Sequence, residues 1–366
     1  MYETLKSILD ISAVDVMRAL RRKWRARRTG RLRLSSAQLT SLELMRQDNR
    51  GAGPPFSASK HWQMLAAQFE NALRSEQLSN PEEQSFNLSF SGFAPTDLRL
   101  HRYVCWLYRR ALKQRDSLGL LDRLRATCRK GRGFGYEMAG NYLSLDLLFS
   151  IDDFYNMYEL DPAIACEPLI VAELGAGWGR LGHVLRSVNP RLVYVVFDLP
   201  EVLIMSQSYL PLLFPGDRFA DYSEGRNVTA FSRDKLLEKN MWFLGPQQMR
   251  RFMPASANFV INIASFQEMP VNYVSDYLTL FSDIARGGFC YTRQLCDGKS
   301  QGHHFDDISG VGDYPFPSFW EKKYHRLSML SDEFFEAGFR IPSGLPRSQT
   351  PFGNGCSRNS VSRASP

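Results

Sequence analysis

Residues 171–182 read VAELGAGWGRLG. Gly175, Gly177 and Gly179 alternate directly behind a short apolar run, and an acid, Glu173, stands two positions before the first of them. Glycine tolerates the left-handed backbone of a tight turn and lets a ligand lie against the main chain. Apolar run, bare turn and amphipathic segment together predict a strand, a loop and a helix whose N-terminus faces the loop. The dinucleotide pattern GxGxxG needs a glycine at position 180. Arg180 stands there instead, and the pattern present is ExGxGxG.

Downstream of Pro168 the texture repeats. LIVAEL (169–174), LVYVVFDL (192–199), ANFVINIAS (257–265) and GGFCYTRQL (287–295) predict strands, with RNVTAFS (226–232) a weaker candidate. GRLGHVLRSV (179–188), EVLIMSQSYLPLLF (201–214) and VNYVSDYLTLFSDIAR (271–286) predict helices between them. Alternation of this kind predicts a mostly parallel sheet covered by helices on both faces, with ligands at the carboxyl ends of its strands. A long irregular stretch follows at 296–320. KYHRLSML and a helix-like SDEFFEAGFRI (331–341) then close the domain.

Residues 1–150 read as a mainly helical N-terminal region, with breaks at 46–60 and 130–144. A second unit over 151–347 would hold the ligand, and 348–366, with almost nothing to bury, should be disordered. The chain has 366 residues, 44% hydrophobic and 23% charged, which suits a large globular core. Its six cysteines form no CxxC pair and no metal-ligand spacing. No secretory signal and no run of 18 apolar residues is present, so a cytoplasmic protein with free thiols is expected. Much of the formal charge of +7 comes from nine basic residues over 18–33. That segment reads as a solvated helix end or as a patch for peripheral contact with a membrane, an anionic glycan or nucleic acid. No RNA-binding motif accompanies it, and nucleic acid is not an expected partner.

LVYVVFDLP ends a second strand in Asp198, 25 residues after Glu173. An acid there suits the two hydroxyls of a ribose. Glu173 suits an ammonium group and would repel a pyrophosphate. A nucleoside with a cationic amino-acid end describes S-adenosylmethionine (SAM) better than it describes NAD. These stretches resemble the class I SAM-dependent methyltransferases, whose hallmark is [ED]xGxGxG after the first strand and an acid after the second. Within that class ELGAGWGRLGHVL, FDLPEVLIMSQSYL, VINIASFQEMP and DYPFPSFWEKKYHR look like the bacterial sugar O-methyltransferases. The resemblance covers roughly 168–345. It implies a Rossmann-like α/β methyltransferase sheet with one antiparallel strand. It also implies cofactor contacts from Glu173, Gly175, Gly177 and Asp198, with Gly179 and Leu199 beside them, and methylation of a sugar hydroxyl in glycan modification.

In that class the end of the fourth strand borders the transferring methyl. Here it reads Ser265, Phe266, Gln267, Glu268, Met269, Pro270. A hydroxyl needs a general base. Glu268 could accept its proton, and Gln267 or Ser265 could orient the acceptor; equally, Glu268 could simply start the next helix. The histidine that phenol methyltransferases place here is missing, and so is the Asn-Pro-Pro-Tyr motif of amino-group methyltransferases. His303, His304 and Asp306 in the long loop are further base candidates. Asp306 and Asp307 would suit magnesium, although no metal is expected. Tyr314, Phe316, Phe319 and Trp320 could stack on a sugar ring or serve as a hydrophobic closing element. Two other readings stay open: a methyltransferase of another small molecule, and a SAM-binding scaffold that docks through its basic N-terminus. The oligomeric state is not legible.

Overall fold

The computed structural model describes residues 34–58, 62–63, 98–126, 135–138, 141–297 and 310–344. The Arg-rich segment 18–33, most of the expected helix over 61–78, the histidines of the long loop and the tail 348–366 lie outside these. In chain order the described elements are α1 (Ser36–Ala52), α2 (Leu98–Leu112), β1 (Gly135–Met138), β2 (Asn141–Ser144), α3 (Leu145–Leu160), β3 (Ile170–Leu174), α4 (Arg180–Val188), β4 (Val193–Phe197), α5 (Pro200–Leu213), β5 (Phe219–Ala220), β6 (Met241–Leu244), β7 (Phe259–Ile263), α6 (Val271–Ile284), β8 (Phe289–Leu295), β9 (Glu321–Leu327) and β10 (Phe334–Arg340), with shorter helical turns between.

Eight strands form one sheet in the order β5-β6-β4-β3-β7-β8-β10-β9. All neighbours are parallel except that β10 runs against both β8 and β9. This is the mostly parallel α/β sheet with one reversed strand that the sequence predicted. β3, β4 and β7 are buried at every position, as strands covered on both faces must be. Their two-residue period divides the core. Ile170, Ala172, Leu174, Val193, Val195 and Phe197 face one layer with Val274, Leu278 and Phe281 of α6. Val171, Tyr194, Val196 and Ile261 face the other, with α3, α4 and α5. Glu173 lies on this second face, two residues beyond Val171.

Several elements differ from expectation. SDEFFEAGFRI is not helical: Phe334–Arg340 is the reversed strand β10, with six of its seven residues buried. Phe335, Ala337 and Phe339 alternate onto one layer, a strand period that a short helical reading hides. RNVTAFS supplies no strand. Asp221 caps a turn of helix over Tyr222–Arg226, and only an isolated bridge joins Phe231 to Phe252. The strand in that part of the sheet is β6, MWFL, four apolar residues too short to stand out. The break at 130–144 contains the β1–β2 hairpin. The break at 46–60 starts only at Gly53: the helix that Ser35 and Gln38 open with a capping box runs on to Ala52 and ends where Gly53 takes a φ of +63°. α3 crosses position 150, where the two regions were expected to meet, and is buried from Leu145 to Met157. It packs on α4, α2 and β10 and so belongs to the sheet's own core. No helix among the described residues is long and apolar enough to cross a membrane.

Gly182, inside α4, settles how that helix meets the sheet. A Cβ there would lie 2.2 Å from Cε1 of Tyr194. Helix propensity favours alanine by about 1 kcal/mol, whereas overpacking a dense layer costs about 1–3 kcal/mol. A rigid ring cannot yield as a flexible chain end can, so the clash wins. Gly182→Ala is expected to lower the stability by about 1–2 kcal/mol in urea denaturation, where propensity alone would raise it.

Candidate functional site

The glycine turn follows β3 and carries positive φ at each glycine: +74° at Gly175, +62° at Gly177 and +86° at Gly179. Their alternation in the sequence is therefore a backbone requirement. Gly175 is also tight, since a Cβ would lie 2.4 Å from Ser265 Oγ at the end of β7. At Gly177 a Cβ would meet nothing within 4 Å, because that residue borders open space. Gly179 packs on Leu210 of α5 and starts α4. It does not line the cleft, so its part in the expected set is to turn the chain. The helix-packing glycine of nucleotide folds is Gly182 here, two positions later than the familiar pattern places it.

The space belongs to a cleft of about 1130 Å³, counted out to its open mouth. Its walls come from the turn, from the ends of β3, β4 and β7, from α6, and from residues 55–58 and Trp62 of the N-terminal region. Among the described residues, four carboxyl groups line it, Asp146, Glu173, Asp198 and Glu268, with one guanidinium, that of Arg180.

Glu173, Asp198, Arg180 and Glu268 are each held by hydrogen bonds. Tyr194 donates its hydroxyl to Glu173 Oε2 at 2.5 Å. Gly177 N–H donates to Asp198 Oδ2 and Leu199 N–H to Asp198 Oδ1, both at 2.8 Å. Leu199 itself lines the cleft. Arg180 donates to Ser150 Oγ and Asp153 Oδ2, both at 2.9 Å, so α3 fixes it from behind. Trp62 donates its indole N–H to Glu268 Oε2 at 2.6 Å. At the neighbouring strand end, Asn262 donates to Leu174 O and accepts from Phe266 N–H, clipping β7 to β3. Ala264, next in line, takes a φ of +55°. That is a costly backbone for a residue with a Cβ, and such strain concentrates at functional sites.

Burial is the main cause of the shifts in these acids. It pushes Glu173 up to about 7 against the opposing pull of Tyr194 and Arg180. It pushes Asp198 up to about 7 although two backbone N–H groups favour its charged form. It pushes Glu268 up to about 8, with the nearby Asp198 adding to the effect and Trp62 opposing it.

Of the residues singled out from sequence, Glu173, Gly175, Gly177, Asp198, Leu199, Ser265 and Glu268 meet at this cleft. Gln267 does not. It is buried with its Oε1 accepting the N–H of Leu295, so it secures the end of β8. His304, with His303, Asp306 and Asp307, lies outside the described residues. The aromatic cluster packs elsewhere: Tyr314 meets Phe335 at 5.1 Å, Phe316 meets Phe339 at 4.9 Å and Trp320 meets Phe339 at 5.6 Å. Tyr314, Phe316 and Trp320 form a hydrophobic closing element over β10 while Phe319 is exposed, and none of the four lines the cleft. Sequence reasoning missed Asp146, Arg180 and Trp62. Arg180 carried a signal, a lone cation directly behind the glycine turn; the other two come from distant segments.

No family model matches the chain, nor does any curated protein. Among solved structures it is similar to a SAM-dependent methyltransferase from Aquifex aeolicus, at 11% identity over 52% of this chain and 89% of that one, TM-score 0.36. A TehB-like SAM-dependent methyltransferase from Corynebacterium glutamicum gives 13% identity over 50% and 86%, TM-score 0.32. An RNA methyltransferase from Salinibacter ruber in complex with S-adenosyl-L-homocysteine gives 12% over 53% and 92%, TM-score 0.31. Likeness at this level assigns no activity, and the chemistry of the cleft must carry the functional reading.

The buried Glu173 and Asp198, with folded pKa values near 7, and the half-buried Glu268, near 8, bind more protons in the folded than in the unfolded chain between about pH 4 and 8. Their protonated forms are fully stabilising below the unfolded values, and that stability is lost as pH rises through the folded ones. The melting temperature of the ligand-free protein is expected to fall between pH 5 and pH 8 by calorimetry. Glu173→Gln together with Asp198→Asn should flatten the slope.

Proposed function

We propose that the chain is a SAM-dependent O-methyltransferase, and that its acceptor is a sugar hydroxyl. The observation that carries the cofactor is the charge pattern of the cleft: four carboxyls and one guanidinium around a positive-φ glycine turn. SAM bears two positive charges, on ammonium and sulfonium, and one negative carboxylate on a neutral nucleoside. A dinucleotide would bring two phosphate charges against Glu173 and Asp198, which Coulomb repulsion disfavours.

The residues present fit that group. Each oxygen of Asp198 keeps a lone pair beyond its backbone bond and can accept a ribose hydroxyl. Leu199, Val202 and Pro246 offer apolar walls for an adenine. Glu173 suits the ammonium and Arg180 the carboxylate. The bound cofactor would supply an electrophilic methyl group on sulfur. The protein's work is then placement and proton removal. Ionised Glu268 would take the proton of the acceptor hydroxyl as that oxygen gained the methyl group and the carbon–sulfur bond broke to leave S-adenosylhomocysteine, and the neutral acid would return the proton to solvent.

The sugar rests on resemblance of the SFQEMP stretch and on Trp62 beside Glu268, an aromatic face next to a carboxyl. Phe56, Met269, Tyr273 and Tyr277 make much of the remaining wall apolar. That favours a second reading, in which the hydroxyl belongs to a less polar small molecule. Modification of a bacterial glycan in the cytoplasm is the setting we infer for the first. Peripheral membrane contact through 18–33 remains a separate proposal.

S-adenosylhomocysteine, the demethylated product, should bind in titration calorimetry. Asp198→Ala and Glu173→Ala should each weaken it about 10- to 100-fold, since hydrogen bonds to charged groups are worth about 1.5–3 kcal/mol. Screening nucleotide sugars and phenols for S-adenosylhomocysteine release separates the two acceptor classes. Glu268→Gln should abolish release by at least about 100-fold while binding persists. A folded protein that does not bind S-adenosylhomocysteine would overturn the reading. Binding with no turnover on any acceptor would favour a scaffold.

A further inference from the structure

Glu268 reaches the cleft from the short helical turn Phe266–Glu268. The backbone of that turn is fixed, because Phe266 N–H donates to Asn262, which Gln294 grips in turn at 2.7 Å. The side chain beyond it has three rotatable bonds. Among the described residues, the hydrogen bond that fixes its carboxyl comes from Trp62, 206 positions away in the chain. The N-terminal wall is a built one at residues 55–56. Asn49 donates to Phe56 O at 2.7 Å and Tyr277 donates to Pro55 O at 3.2 Å. The ring of Phe56 meets that of Tyr277 edge-on at 5.6 Å, and the Arg250 guanidinium lies 4.4 Å over Phe56. Pro55, Phe56, Ser57, Ala58 and Trp62 all line the same cleft as Glu268.

We propose that Trp62 is the positioning residue of the acceptor half of the cleft: its indole N–H holds the Glu268 carboxyl toward the transferring group, and the acceptor hydroxyl is received between the two side chains. This rests on the methyltransferase reading and adds to it a role for the N-terminal region. An indole serves this purpose well. It is a donor only, so it cannot take up the proton that the base must accept. Its hydrogen bond favours the ionised form that burial opposes. Its flat face next to a carboxyl presents apolar contact and a hydrogen-bond acceptor to one ring bearing hydroxyls. The rival is a strap: the same bond could merely tie the N-terminal segment across the domain.

The charge at the cofactor's sulfur separates these. The groups that share the cleft with Glu268 are Asp198, which raises its proton affinity, and Glu173, Asp146, Arg180, Tyr273 and Tyr277. A base aimed at the transferring group must respond to a cation there. A strap bonded on the far side of the carboxyl from that group would feel the cation only weakly.

The full-length chain, labelled with ¹⁵N-tryptophan, is titrated by NMR. Trp62→Phe identifies the indole resonance, and Glu268→Gln, with Glu268→Asp as a milder second variant, identifies its titrating partner. The Trp62 signal should shift with a raised carboxyl midpoint, and that shift should disappear in Glu268→Gln. On the unaltered chain, sinefungin carries an ammonium group where SAM has its methylated sulfonium. It should lower the midpoint by about one pH unit relative to S-adenosylhomocysteine, a tenfold change in proton affinity. Binding of both ligands with equal midpoints, or an indole signal indifferent to Glu268→Gln, would overturn this assignment alone. Failure of both ligands to bind would overturn the cofactor reading and this assignment with it.

Discussion

Two carboxyl groups, Glu173 and Asp198, are buried at the ends of adjacent parallel strands, and the surrounding structure is organised to tolerate them. Each is under a tenth exposed, which is costly for an acid unless partners or protonation offset the loss of water. Tyr194 supports the first and two backbone N–H groups support the second. Those partners impose the geometry around them. The Tyr194 ring occupies the space that a side chain at position 182 would fill, and Gly177 donates to Asp198 from a left-handed turn.

Behind the turn, α3 extends the same logic. Its buried Asp153 accepts from Arg180 and from Tyr291 and lies 3.1 Å from Arg293. Its neighbour Asp152 accepts from Arg115 at 2.8 Å, yet burial and the nearby Glu336 still hold its carboxyl well above the usual range. Buried ion networks of this kind seldom add net stability against an apolar core. Here the network anchors Arg180, the one guanidinium of the cleft among the described residues, to the buried part of a helix rather than to a loop. A site supported from rigid elements keeps its geometry better than one held by loops. α3 is thus part of the functional unit, although its sequence precedes the first strand of the large sheet.

The strand–turn–helix–strand from Ile170 to Phe197 was legible because burial on both faces writes continuous apolar runs, and left-handed turns write glycine. Glu173 and Asp198 were legible for the same reason: acids at the ends of such runs have no packing purpose. β10 was not, because Phe334–Arg340 mixes aromatic residues with an acid and a glycine, and its strand character comes from pairing with β8 and β9. β6 was too short to separate from a loop. Gln267 looked functional by position, and only the structure shows its amide spent on Leu295 N–H. Trp62 and Asp146 enter the cleft through tertiary contacts that no local spacing records.

The structure of the complex with S-adenosylhomocysteine tests this account most directly. The account predicts ribose hydroxyls on the Asp198 carboxyl, the amino-acid end between Glu173 and Arg180, and the sulfur facing Glu268 beneath Trp62. A ligand seated outside the glycine turn, or one seated there with its sulfur directed away from Glu268, would contradict it.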